Sequence, residues 1–171
     1  MIRKALVSDA NAIAQVHIRS WQEAYRNLMP ADYLSALDTT LARRESLWVR
    51  SIESGESGVW VAERDQQVVG WVSVGDSRDD DAEVNTGEVM AIYVLAGYWR
   101  TGAGRALWNV GVQHLRQQGF TRVTLWVLAL NERAIRFYHS AGCIEEPGSE
   151  RNLIRGGVSL AEVRYGLLLP T

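Results

Sequence analysis

Cysteine is almost missing from this chain: Cys143 is alone among 171 residues. No disulfide can close within the chain, and a reducing compartment is the simpler expectation. A lone cysteine of this kind reads first as a small, half-buried hydrophobe. Lysine is equally scarce, with Lys4 set against seventeen arginines; codon bias accounts for that, and no function is drawn from it. A basic surplus is absent too. A net charge of −2 and a pI near 5.9 argue against nucleic acid or a membrane surface as partner. The opening residues MIRKALVSDA lack the apolar stretch of a signal peptide. Apolar runs such as Leu125 to Leu130 are far too short to cross a bilayer. These absences together lead to the expectation of a cytoplasmic protein. His17, His114 and His139 have no metal-ligand spacing, so no metal is expected. Repeats, low-complexity tracts and Pro- or Ser-rich linkers are also lacking, and the length suits one well-cored domain over 1–171.

What is present is ordinary globular composition, 47% hydrophobic and 22% charged. Ile2 to Val7 alternates as a strand, and Ser8 stands as an N-cap before a helix with Ile13, Val16, Ser20 and Ala24 on its inner face. Pro30 interrupts that helix. Asp38 is placed to cap a second one carrying Leu41, Trp48 and Ile52. Val59 to Glu63 and Val68 to Val74 flank a hairpin turn, and the acidic stretch from Gly75 to Thr86 reads as a loop. A strand from Glu88 to Val94, a helix from Gly102 to Gln118 closed by Gly119, a strand from Arg122 to Leu128 and a helix from Asn131 to Ala141 follow. Two last strands lie near Cys143 to Glu146 and Leu160 to Leu168. The order β-α-α-β-β-β-α-β-α-β-β predicts an α/β fold with a mixed sheet.

The segment Glu88 to Leu107, EVMAIYVLAGYWRTGAGRAL, carries the most chemistry. A strand delivers a Gly-x-Gly turn onto a helix N-terminus, where orphan N–H groups and the positive end of the dipole suit an anion. Gly102 and Gly104 let the backbone approach a phosphate closely. Neither a Walker loop nor a dinucleotide fingerprint fits, because Ala103 and Leu107 stand where Lys and Gly are required. A turn that merely starts a helix remains the plain alternative.

Two blocks resolve that choice by resemblance. Trp99-Arg100-Thr101-Gly102-Ala103-Gly104, followed by Arg105-Ala106-Leu107, is similar to the Gln/Arg-x-x-Gly-x-Gly/Ala motif of the GCN5-related N-acetyltransferases. Asn131, Ala134, Phe137, Tyr138 and Gly142 match that family's second block, with Cys143 in place of its last aromatic. The chain resembles the family well from Val59 to Glu146 and more loosely in its first helices. The first motif position departs from the pattern: Trp99 replaces Gln or Arg, which leaves Arg100 or Arg105 to supply charge at the pyrophosphate.

The resemblance implies the family's mostly antiparallel mixed sheet, with helices on both faces and strands four and five splayed apart. It implies acetyl-coenzyme A (acetyl-CoA) as donor and a primary amine, on a small molecule or a peptide, as acceptor. The main chain around Ile92, Tyr93 and Val94 would hold the pantetheine, with a backbone N–H polarising the thioester carbonyl. Residues 100–105 would hold the pyrophosphate: Arg100, Thr101, Gly102, Ala103, Gly104 and Arg105. Asn131 and Ala134 would line the pantetheine arm, although Asn131 also suits an N-cap. Tyr138 would give a proton to the departing thiolate, the alternative being an aromatic packed on the sheet. Glu88 lies fourteen residues before Gly102, the offset of the base glutamate in histone-acetylating members. Strand alternation would set it on one face with Met90, Ile92 and Val94, and burial would raise its pKa toward that of a base. An exposed charge at a strand start is the other reading. Trp21, Tyr25 and Met29 are candidates for an aromatic acceptor wall, and core packing explains them as well. The acidic run Asp76 to Asp81 either attracts a cationic amine or is a solvated loop.

Acyl transfer through a direct ternary complex is the expected route, since no His–Asp set accompanies Cys143. A CoA-binding sensor without chemistry and a transferase of longer acyl chains are the competing readings. The last strands of such folds are exposed edges that pair in many homodimers.

Overall fold

A computed structural model describes residues 1–170. All its strands join one eight-stranded sheet. The first, β1 (Ile2–Lys4), pairs antiparallel with β2 (Gly58–Arg64), and between them run α1 (Ala10–Ala24), α2 (Ala31–Ala36) and α3 (Leu41–Ser54). Then come β3 (Gln67–Asp76), β4 (Thr86–Val94), α4 (Ala103–Gln117), β5 (Arg122–Leu128) and α5 (Glu132–Ser140). The chain closes with β6 (Ile144–Glu145), β7 (Arg151–Arg155) and β8 (Val158–Leu168). The sheet runs β1-β2-β3-β4-β5-β8-β6, with β7 also on β8; only the β4–β5 pair is parallel.

Apolar alternation dictates two faces. On one, Val72, Val74, Val89, Val123 and Leu125 pack against Leu107, Trp108 and Leu115 of α4. On the other, Val59, Val61 and Trp71 meet Ile13 and Val16 of α1. A further cluster of Ile18, Tyr25, Met29, Leu34, Leu128 and Leu160 joins α1 and α2 to the far half of the sheet. The sheet is therefore mixed, mostly antiparallel and covered by helices on both faces, as the sequence predicts. Among the described residues no helix is long and apolar enough to cross a membrane.

Local details differ from expectation for clear reasons. The first helix begins at Ala10 after a 3-10 turn over Val7–Asp9, in which Asp9, not Ser8, takes the Leu6 N–H (2.7 Å) and the guanidinium of Arg3 (2.8 Å). The helix expected to be capped by Asp38 starts at Leu41 instead, after a 3-10 turn over Leu37–Thr40. The strand β7 was not foreseen; it is exposed and polar, so it carries no alternation.

A bulge matters most. Ser73 faces Ala91 and Val74 faces Val89, which leaves Met90 as the extra residue on β4. The expected single face of Glu88, Met90, Ile92 and Val94 is thereby broken. Val89, Ile92 and Val94 pack toward α4, whereas Ala91 and Tyr93 pack toward α1. Glu88, opposite in alternation to Val89, falls on the α1 side.

Candidate functional site

The ladder between β4 and β5 stops early. Thr86, Gly87 and Glu88 pair with Arg122, Val123 and Thr124, and beyond Glu88 no residue of β4 pairs with β5. The two strands diverge, and a cleft of about 1130 Å³ fills the wedge. Main-chain geometry makes its wall polar. The Leu95 N–H donates to the Val69 carbonyl (2.9 Å), so residues 91, 93 and 95 turn their backbone groups to β3. Ile92 and Val94 therefore turn theirs into the gap. The Val94 carbonyl accepts from the Trp99 indole N–H at 2.8 Å. Trp99 thus occupies the wall as a donor to backbone, and the guanidinium of Arg133 lies 3.6 Å over its ring.

The glycine loop closes one end of the wedge. Gly102 is the residue before α4 and has φ +88°, a left-handed conformation in which no Cβ neighbour lies within 4 Å. Arg100 is also left-handed, at φ +62°. The first N–H to find a helical acceptor is that of Ala106, on the Gly102 carbonyl (3.0 Å). The N–H groups of residues 103–105 are thus orphan donors at the positive end of a fifteen-residue helix. Arg100 and Arg105 line the cleft beside them, with Arg105 donating to the Ser140 hydroxyl (2.8 Å). Thr101 instead donates its hydroxyl to the Tyr98 carbonyl (2.6 Å), and the Ala103 side chain is sunk in the core.

From α5, Asn131, Ala134 and Tyr138 reach the same cleft. Asn131 caps its helix, its side chain accepting from the Ala134 N–H (3.2 Å), and the residue also faces the cleft. The Tyr138 ring is buried between Trp108 and Phe137, and burial holds its phenol protonated well above neutral pH. Tyr138 is one of the cleft's lining residues, and its hydroxyl has no hydrogen-bond partner among the described residues.

From the α1 side, Trp21 and Tyr25 line the cleft, while Met29 packs in the core under α2. The Trp21 indole donates to the Tyr93 hydroxyl at 2.8 Å. Burial raises the Tyr93 and Tyr25 phenols as well.

Glu88 is placed otherwise than its sequence position suggests. It is 1% exposed and absent from the cleft wall. One oxygen accepts from the Arg78 N–H (2.9 Å), the other from the Arg78 guanidinium (2.5 Å). Arg78, not Glu88, faces the cleft, and Arg78 engages both oxygens of the buried carboxylate. The acidic loop is similarly engaged. Asp79 accepts from the Trp126 indole (3.0 Å), and Asp79 and Asp81 both pair with Arg164. Cys143 is 2% exposed, lies outside the cleft, and its thiol is pushed up to about 11 by burial.

A wedge opened between β4 and β5, with a glycine-capped helix at one end, is what the comparisons with known proteins address. The acetyltransferase (GNAT) family matches residues 18–143. The chain belongs to the acetyltransferase (GNAT) family. It is 37% identical to the uncharacterized N-acetyltransferase YuaI of Bacillus subtilis over 167 residues, covering 96% of this chain and 91% of that one. A mycothiol acetyltransferase of Frankia alni is 38% identical over 109 residues, which is 60% of this chain and 31% of the relative. The chain thus spans about a third of that enzyme. In fold it superposes on the PaiA N-acetyltransferase of Thermoplasma acidophilum, solved with coenzyme A, at a TM-score of 0.77 and 19% identity, over 99% of this chain and 98% of the other. As a GNAT acetyltransferase, the protein takes its acetyl group from acetyl-CoA. The residues present fit that donor: orphan N–H groups and arginines for the pyrophosphate, and an unpaired strand edge for the pantetheine amides.

Proposed function

We propose that the protein transfers acetyl from acetyl-CoA to a primary amine by direct attack within a ternary complex. The observation that carries this reading is the cleft itself. It joins the free edge of β4, the α4 N-terminus and Tyr138 on one side to Trp21 and Tyr25 on the other. Acetyl-CoA supplies the activated thioester. The N–H groups of residues 103–105 hold the pyrophosphate, with Arg100 and Arg105 adding charge. Ile92, through both backbone groups, and Val94, through its N–H, pair with the pantetheine amides along the edge that β5 has left. Asn131 and Ala134 bound the same arm. Tyr138, kept protonated by burial, gives its proton at the phenolic oxygen to the departing thiolate.

Trp21 and Tyr25 wall the acceptor. The relatives named mycothiol acetyltransferase favour a small-molecule amine over a peptide. A direct route is supported by the position of Cys143, whose buried thiol is outside the cleft and stays protonated at neutral pH. Release of CoA thiol is measured with spermidine, tyramine, L-lysine and glycinamide, and the product is identified by mass. Acetylation of at least one amine is expected; acetyl-CoA binding with no thiol release would favour a sensor. Tyr138→Phe should lower kcat about 100-fold, the scale of lost general acid catalysis, with acetyl-CoA affinity unchanged by calorimetry.

A further inference from the structure

With Glu88 sealed by Arg78, the question is which group meets the acceptor's amine. Only one acidic side chain lines the cleft among the described residues, and it is Glu162 of β8. Topology explains its place. Cross-strand partners share a face, and Glu162 lies opposite Leu128 of β5 and Arg151 of β7. Leu128 and Leu160 pack against α1 and α2, so Glu162, two residues from Leu160, projects on the same face as Trp21 and Tyr25. Tyr138 reaches the wedge from the opposite, α4 face. A molecule crossing the wedge therefore meets the phenol from one side and the carboxylate from the other.

The carboxylate is held and yet available. Its Oε1 accepts from the Arg151 Nε at 2.5 Å, while its Oε2 has no partner, and the side chain is 14% exposed. Arg151 is itself braced, its guanidinium 3.5 Å over the Trp126 ring. One oxygen is fixed, and the open one leaves lone pairs for the N–H donors of a cation.

We propose that Glu162 is a catalytic residue that receives the acceptor's ammonium at Oε2 and takes a proton from it. The inference rests on the amine-acylation reading above. An N–H bond breaks and an O–H bond forms on Glu162; the freed lone pair makes the N–C bond of the amide as the C–S bond of the thioester breaks. Tyr138 protonates the thiolate, which leaves as thiol, and the second amine proton restores the Tyr138 phenol. The substrate class follows: an amine that arrives as its cation, between a carboxylate and the rings of Trp21 and Tyr25.

The test uses the full chain and whichever of spermidine, tyramine, L-lysine and glycinamide the wild type acetylates best. Glu162→Gln, nearly isosteric, should lower kcat/KM for that amine about 100-fold, the scale of a lost general base. In calorimetry without acetyl-CoA it should weaken binding of the amine itself at least fivefold. Acetyl-CoA affinity should not change. Glu162→Asp, which keeps the charge, should recover part of the loss. Equal losses in Gln and Asp, or a Gln variant with unaltered amine binding and kcat/KM, would overturn the assignment while leaving amine acylation intact. Failure of the wild type on every amine would remove both.

Discussion

Gly102 shows how much of the donor site rests on one backbone conformation. Its φ of +88° aims the N–H groups of the next three residues outward, and no protein atom lies within 4 Å of where a Cβ would stand. Gly102→Ala should therefore cost about 1 kcal/mol of stability through the left-handed backbone alone. The loss in binding should be larger: a charge-assisted hydrogen bond is worth about 1.5–3 kcal/mol, so acetyl-CoA affinity should fall roughly tenfold or more by calorimetry. A variant that binds acetyl-CoA as the wild type does would show that the loop is not the phosphate seat. The geometry of this loop is legible in the sequence because its residues are contiguous. The placement of Glu88 is not. Its partner Arg78 sits in a loop whose course cannot be read from spacing, and the Met90 bulge turns Glu88 away from the face that alternation assigns. Glu162 gave no signal either, since its meaning comes from Leu128 and Arg151 on two other strands.

At the scale of elements, the proposed acceptor wall depends on the β7–β8 hairpin. Arg151, Asn152, Leu153 and Arg155 all line the cleft, and they are placed by the two-residue turn Gly156-Gly157. Both glycines have positive φ, +57° and +78°. That turn is a second hairpin signal in the sequence beside the one between β2 and β3, since Gly-Gly between two runs suits a type I′ turn. Polar residues on an exposed edge hid the strand it serves. Gly156 also meets α2: a Cβ there would lie 2.8 Å from the Cβ and Cγ of Tyr33. Gly156→Ala combines a left-handed alanine with that contact and should cost about 2 kcal/mol, read as a lower denaturant midpoint. Because the hairpin holds Arg151 against Glu162, KM for the amine should rise several-fold while acetyl-CoA affinity holds. Parallel loss of both affinities would mean that the two halves of the cleft are not independently built.

For the molecule as a whole, an aromatic stack ties helices to sheet on the acceptor face. His17 of α1 stacks on Tyr93 of β4 at 5.0 Å and 18°, with Trp21 and Trp71 each 5.9 Å away. Trp48 of α3 meets Trp71 edge-on at 4.7 Å. Sequence periodicity places Trp48 on an inner helix face, but the histidine's desolvation cannot be read that way, because it depends on Trp71 and Tyr93 from two strands. Burial, with Arg44 nearby, lowers the His17 pKa to about 4. In the unfolded chain a histidine titrates near 6.5. Between those values the unfolded state binds a proton that the folded state refuses, so stability falls as pH falls. The loss begins as the pH drops through about 6.5 and is complete below about 4, and between pH 7 and pH 5 it amounts to about 2 kcal/mol. The Asp9 carboxyl, held low mainly by its hydrogen bond to Arg3, adds its own loss only in more acid solution, as pH falls from the carboxylate range through its depressed value. Urea unfolding at pH 7 and pH 5 brackets this loss; His114, its pKa also lowered by burial, adds to it, so the His17 share is read against His17→Gln. Wild type should lose the 2 kcal/mol and His17→Gln should lose little of it. Equal losses in the two proteins would show that His17 is solvated enough to take its proton in the folded state, and that the acceptor face is not what acid opens first.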